Sequence, residues 1–124
     1  MTHDEQIQHL HDECDRLTDL LAAAKERNER VVRWAAARNL IHGSDPKNQT
    51  IKLGEEFGEL CAAIARGKTD EAMDAIGDMT VVLTILAAQL GTSIEACQDA
   101  AWEHIKDRKG CMVDGVFVKE GDHD

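Results

Sequence analysis

The carboxylates around Glu56 are the residues whose type and spacing could do chemistry. Gly54-Glu55-Glu56-Phe57-Gly58-Glu59-Leu60 lies in a stretch with helical periodicity. At about 100° per residue, Lys52, Glu56 and Glu59 share one flank of that helix. Leu53, Phe57, Leu60, Cys61 and Ile64 would form its buried stripe. Two carboxylates three residues apart repel each other, and on an ordinary helix they form a solvated charged edge. A second stretch alters that reading. Ala72, Ile76, Met79, Leu83, Leu86 and Leu90 recur at alternating steps of four and three, and Ala75, Val82 and Ile85 widen the apolar surface. Glu71, Asp74 and Asp78 line up on the same helix, and Asp78 is the last charge before the uncharged run Met79 to Ile94. A carboxylate at the edge of so apolar a helix needs a partner, because an unpaired buried charge is costly or becomes protonated. No Lys or Arg lies between Lys68 and Lys106. Facing carboxylates from two helices would supply the oxygen shell that Mg²⁺ prefers, with Glu55 as a supporting group behind it. Metal binding and plain helix-end charges both stay open at this point. A di-iron bundle does not, since it needs Glu-x-x-His motifs and these helical stretches carry none.

The elements that must position these groups follow from periodicity and punctuation. Ile7, Leu10, Cys14, Leu17, Leu21 and Ala24 form a heptad-like seam on a charged helix. Residues 1–27 are expected to be an amphipathic packing or oligomerisation helix, ahead of a single domain over 28–124. Asn28 breaks the seam and could cap a second stretch, Glu29 to Leu40, with one bent helix as the alternative. His9 and His11, two apart, point to different faces and make no ligand set with Cys14. Ser44 or Asp45 is placed to cap the next helix, with Pro46 in its first turn, and Gly67 stops it after about Arg66. Thr69 is expected to cap the third helix, which ends near Leu90 with Gly91 as its stop. Thr92 and Glu95 have capping-box spacing for a last helix closing at Gly110. Met112 to Val118 then alternates around Asp114-Gly115, a strong hairpin signal. The predicted fold is all-α: a helical bundle with a short C-terminal hairpin or extended tail.

Composition narrows the partners. The chain has 124 residues, enough for one domain, with 14 Lys and Arg against 24 Asp and Glu, so 14 − 24 gives −10. So acidic a chain gains nothing from a polyanion, which disfavours nucleic-acid polymers and leaves small phosphate ligands only where divalent metals bridge them. Aromatics are 3% and Pro is 1 residue, so the core must be aliphatic and helical. Cys14, Cys61, Cys97 and Cys111 show no zinc spacing, and most lie in apolar helical patterns where Cys acts as a small hydrophobe. The polar start, Met1 to Leu10, lacks a signal-peptide core, and the longest uncharged run is too short and polar for a membrane span. A cytoplasmic protein without membrane partners is the expectation. A few modest helices bury little alone, which favours a homodimer or homotetramer.

The ordered segments KNQTIKLGEEFGEL, DAIGDMTVVLTILA and EHIKDRKG resemble the MazG-like branch of the all-α nucleoside triphosphate pyrophosphohydrolases, in particular short phage-type members. The resemblance covers roughly Val32 to Glu120. It implies a helical hydrolase that holds Mg²⁺, with Mn²⁺ as a plausible substitute, and cleaves an NTP or dNTP to the monophosphate and pyrophosphate. Carried over by motif, Glu56 and Glu59 match the first metal-binding pair, and Asp78 after Gly77 matches the end of the second. The Glu expected one turn before Asp78 is Ala75 here, so Asp74 is taken as its replacement, with Glu71 as the alternative. Glu55 or Glu59 would orient the attacking water. Lys52, Lys106, Arg108 and Lys109 are candidates for holding phosphates, the last three alternatively compensating a helix C-terminus. Trp34, Arg38, Gln49 and Trp102 are candidates for contacting the base or nucleotide, although the family Asn expected near Glu103 is missing. Rival readings are a catalytically silent helical interaction module, for which Ala75 speaks, a base-restricted dUTP or dCTP pyrophosphatase, and phosphoribosyl-ATP hydrolysis.

Overall fold

The computed structural model describes residues 1–121. Helix α1 (His3–Ala37) opens with a reciprocal cap, in which the Thr2 hydroxyl accepts from the Glu5 N–H and the Glu5 carboxylate accepts from the Thr2 N–H. It runs unbroken through Asn28, so no second cap forms there; the Asn28 amide instead donates to Glu95 Oε1 at 3.0 Å. The expected boundary between residues 27 and 28 therefore falls inside one helix. Helix α2 (Pro46–Ala65) is capped by Asp45, whose carboxylate accepts from the Asn48 N–H at 2.8 Å, with Pro46 at the first position. Gly67 turns the chain out of it at φ +67°.

Two expected caps shift by one residue. Helix α3 (Thr69–Gln89) already contains Thr69, and Lys68 stands at its N-cap with no side-chain bond. Helix α4 (Ile94–Ile105) is capped by Ser93 rather than Thr92, the Ser93 hydroxyl accepting from the Ala96 N–H at 3.2 Å. It also ends before Gly110, which instead opens strand β1 (Gly110–Val113). Strand β2 (Val116–Lys119) pairs antiparallel with β1, with Val113 opposite Val116. Asp114 and Gly115 join them, both in the left-handed region that a type I′ turn requires. The fold is mostly helical with a small two-stranded C-terminal hairpin.

The core lies between α2 and α3 and is built of small side chains. Ala63 of α2 and Ala72, Ala75, Val82, Ile85 and Ala87 of α3 are buried, with Ala35 of α1 against them. Here the structure reverses the expected stripe on α2. Phe57 is 55% exposed and Ile64 66%, Cys61 is exposed, and only Leu53 and Leu60 are half-buried. Ile76, Leu83 and Leu90 of α3 are exposed as well. The face of α2 turned to α3 carries Gln49, Glu56 and Ala63, spaced at sevens, because small residues opposite let the two backbones approach. All four cysteines are exposed, against the expectation of a core role. No single helix among the described residues is long and apolar enough to cross a membrane.

Loss of the α2 cap gives a direct check on this architecture. Asp45→Ala should cost about 1 kcal/mol of unfolding free energy in a denaturant titration, the usual value of a lost N-cap.

Candidate active site and metal centre

Helix α2 turns one face toward α3, and that face is acidic at its middle. Glu56 is only 6% exposed. One of its oxygens, Oε1, lies 3.3 Å from Lys52 Nζ, one turn earlier. The other, Oε2, is buried without a hydrogen-bond partner. Glu59 follows one turn later at an exposed position, and Asp78 faces them from α3, half-buried. One carboxylate oxygen from each of Glu56, Glu59 and Asp78 lies within 4.8 Å of the others. This set can hold a divalent cation, and the orphaned Glu56 oxygen is the group such a cation would satisfy.

The electrostatics of the cluster agree with its geometry. The Glu56 carboxylate, placed to accept a hydrogen bond from the protonated Glu59 carboxyl, holds Glu59 above its ordinary value, and the charges of Glu56 and Asp78 add to the effect. Burial raises the Asp78 carboxyl, with Asp74 and Glu56 contributing their charges. Lys52 is held above the ordinary lysine value by Glu56 and then Glu55, so it stays protonated across the physiological range.

The other candidate residues take separate places. Asp74 is exposed and close enough to act on Asp78, but is not part of the three-carboxylate set. Glu71 pairs with Lys68 at 3.6 Å, and Glu55 with Lys52 at 3.5 Å, both on the surface. Ala75 is packed in the α2–α3 interface. Lys106 is engaged by Glu103 at 2.7 Å. Arg108 and Lys109 border a shallow hollow between the end of α4 and the hairpin, with His104 and Glu120. Trp34 is half-exposed, and the Arg38 guanidinium stacks over its ring at 4.3 Å. Trp102 is exposed, and Gln49 is buried on the α3-facing side of α2. Sequence reasoning missed the Asn28–Glu95 bond and the Gln89 amide donating to the Leu40 carbonyl at 3.0 Å. Both tie α1 and its following turn to the bundle across long sequence separations, which helical periodicity does not encode.

A family model for phosphoribosyl-ATP pyrophosphohydrolase matches residues 20–108. The chain belongs to that family. It sits within the MazG-like all-α superfamily of NTP pyrophosphohydrolases, whose activity is hydrolysis of a nucleotide phosphoanhydride and whose members are typically dependent on a divalent metal. The match takes in the whole carboxylate cluster and stops one residue short of Lys109. An uncharacterized 18.2 kDa protein in the rep-hol intergenic region of Haemophilus phage HP1 (strain HP1c1) is 46% identical over 69 residues. Those residues are 56% of this chain and 42% of the phage protein, so the match spans less than half of that relative. No solved structure matches the chain.

The raised carboxyls make a signed prediction for the metal-free protein. Glu59 and Asp78 bind protons more tightly folded than unfolded, so folding takes up protons. Their contribution to stability rises as pH falls from neutral through the raised values toward the ordinary 4.5 of Glu and 3.8 of Asp. A Glu59→Gln, Asp78→Asn double variant should lose that part of the slope in thermal unfolding at pH values above the ordinary carboxyl values. Identical slopes for the two proteins would refute the coupling.

Proposed function

We propose that the chain is a Mg²⁺-dependent nucleotide pyrophosphohydrolase that converts an NTP or dNTP to the monophosphate and pyrophosphate. The observation that carries this reading is the buried Glu56 carboxylate, with an unpartnered oxygen beside Glu59 and Asp78. In a chain of net charge −10, a group of facing carboxylates at the core edge is unfavourable unless a cation compensates it. Glu56, Glu59 and Asp78 would hold Mg²⁺, or Mn²⁺ in its place, with Asp74 adjusting the site from one turn away. Once bound, the cation neutralises the phosphates and polarises the α-phosphorus. Glu59, or Glu55 one turn earlier, would take the proton of the attacking water. The water oxygen bonds to the α-phosphorus, the bond from that phosphorus to the α–β bridging oxygen breaks, and pyrophosphate leaves.

Lys52 is the cation on this side of the cluster and would meet the phosphates at the metal. Lys106, Arg108 and Lys109 would receive the outgoing phosphates from the end of α4. Trp34, with Arg38 over its ring, offers a stacking surface for a base, and Trp102 and Gln49 are secondary candidates. A homo-oligomer working in the cytoplasm completes the proposal. The second reading, a catalytically silent interaction module, is favoured by one observation: Ala75 puts a buried methyl group, not a carboxylate, at the position three residues before Asp78.

Pyrophosphate release from the common NTPs and dNTPs, with dUTP and phosphoribosyl-ATP added, separates these readings. Release should require Mg²⁺ or Mn²⁺, stop in EDTA, and fall at least about 100-fold in Glu59→Gln. A panel confined to one substrate would establish a base-restricted or phosphoribosyl-ATP enzyme. No release from any of them by a folded protein would establish the silent module.

A further inference from the structure

The first half of α1 has no place in the bundle. The helix is about 52 Å long at 1.5 Å per residue, yet residues 1–23 are exposed throughout, Glu13 alone being half-buried. The family match begins only at residue 20. The projecting part nevertheless carries the apolar seam, with Leu10, Leu17 and Leu21 among its exposed side chains. In each heptad the residue farthest from that seam is acidic: Glu5, Asp12, Asp19 and Glu26. Charge is thus kept off the apolar line, as in helices that bury a seam against a partner.

The seam also leads somewhere. Its continuation through Leu21, Ala24 and Asn28 forms one wall of a groove of about 910 Å³, closed on the other sides by Ala88 of α3 and Ile94 of α4. The two halves of α1 carry opposite charge. Residues 3–19 hold Asp4, Glu5, Asp12, Glu13, Asp15 and Asp19 against Arg16, whereas residues 20–37 hold Lys25, Arg27, Arg30 and Arg33 against Glu26 and Glu29. The surface area points the same way. The chain exposes 9652 Å², whereas a compact monomer of its mass exposes about 6,600 Å². That surplus exceeds the roughly 1,000–2,500 Å² that each subunit gives to an obligate dimer.

We propose that α1 pairs antiparallel with α1 of a second copy of this chain, each acidic half lying along the basic half of the other. A parallel pair would set acidic half against acidic half, whereas the antiparallel one matches opposite charges and opposes the helix dipoles. The two-fold arrangement is closed, so it yields a dimer and no filament. With the dyad at the level of Asp19, the seam residues meet in layers: Leu17 against Leu21 of the second copy, and Cys14 against Ala24.

Cys14 makes the direction of pairing measurable. In a Cys61→Ser, Cys97→Ser, Cys111→Ser background, added Ala24→Cys should give a disulfide-linked dimer on mild oxidation, while the background alone, with only Cys14, should not. Crosslinking of the background through Cys14 would mean a parallel pair and overturn the proposal. So would the absence of any crosslink with Ala24→Cys. Independently, sedimentation of the wild type should give twice the 13.7 kDa chain mass or a multiple of it. Leu17→Asp should lower that mass by breaking the α1 contact, with helix content retained. An unchanged mass in Leu17→Asp, or a monomeric wild type bound only to some other protein, would overturn the proposal.

Discussion

The burial of the Glu56 carboxylate between α2 and α3 is the constraint on which the site depends. A charged group at 6% exposure needs compensation, and Lys52 supplies it to one oxygen alone. The nearest other side chains of the cluster, Glu59 and Asp78, are of the same sign. Local electrostatics therefore works against the interface that holds the fold together. The rise in proton affinity at Glu59 and Asp78 is the same conflict seen from the neighbouring groups. Such an arrangement costs stability in the empty protein, and a cation that binds the folded state alone returns it.

Small residues make this arrangement possible. Ala63, Ala72 and Ala75 let α2 and α3 come close enough for carboxylates on both helices to converge. Larger side chains at those positions would widen the gap and separate Asp78 from Glu56. The consequence is an inverted distribution of bulk: Phe57, Ile64 and Ile76 stay on the outside, and the interior is filled by alanine, valine and one isoleucine. Burial of large apolar groups within one chain has been given up for close packing of the two helices that carry the carboxylates.

That inversion explains what the sequence could and could not tell. The three helices after Pro46, an N-cap at Ser44 or Asp45, the Gly67 and Gly91 stops and the hairpin at Asp114-Gly115 were all legible, because each rests on local backbone chemistry. The convergence of Lys52, Glu56 and Glu59 on one flank was legible from helical geometry as well. The buried face of α2 was not. Periodicity locates a line of large apolar residues, but it does not say whether that line meets the chain's own core or another surface. Asp74 and Glu71 illustrate a second limit. They share a helix with Asp78, yet only the pairing of α2 and α3 decides which turn of α3 stands opposite Glu56, and that turn carries Asp78.

The same distinction bears on how so acidic a chain can engage a polyanion. Its net charge would repel a nucleotide triphosphate at long range, but screening limits that repulsion to about 10 Å at ordinary ionic strength. What matters is the local field around each group of charges. The carboxylates at the centre of the α2–α3 interface form one pole, suited to a cation; Lys52 sits at its edge, and Arg38 over Trp34 and Arg108 with Lys109 lie on other elements. A phosphate chain needs both signs within its own length, a bridging cation on one oxygen and fixed cations on others. Attraction then resides in a few neighbouring groups, and the large negative total acts against binding of longer polyanions. An acidic surface around the carboxylate cluster thereby disfavours a nucleic-acid chain relative to a small phosphate ligand that arrives with a divalent cation.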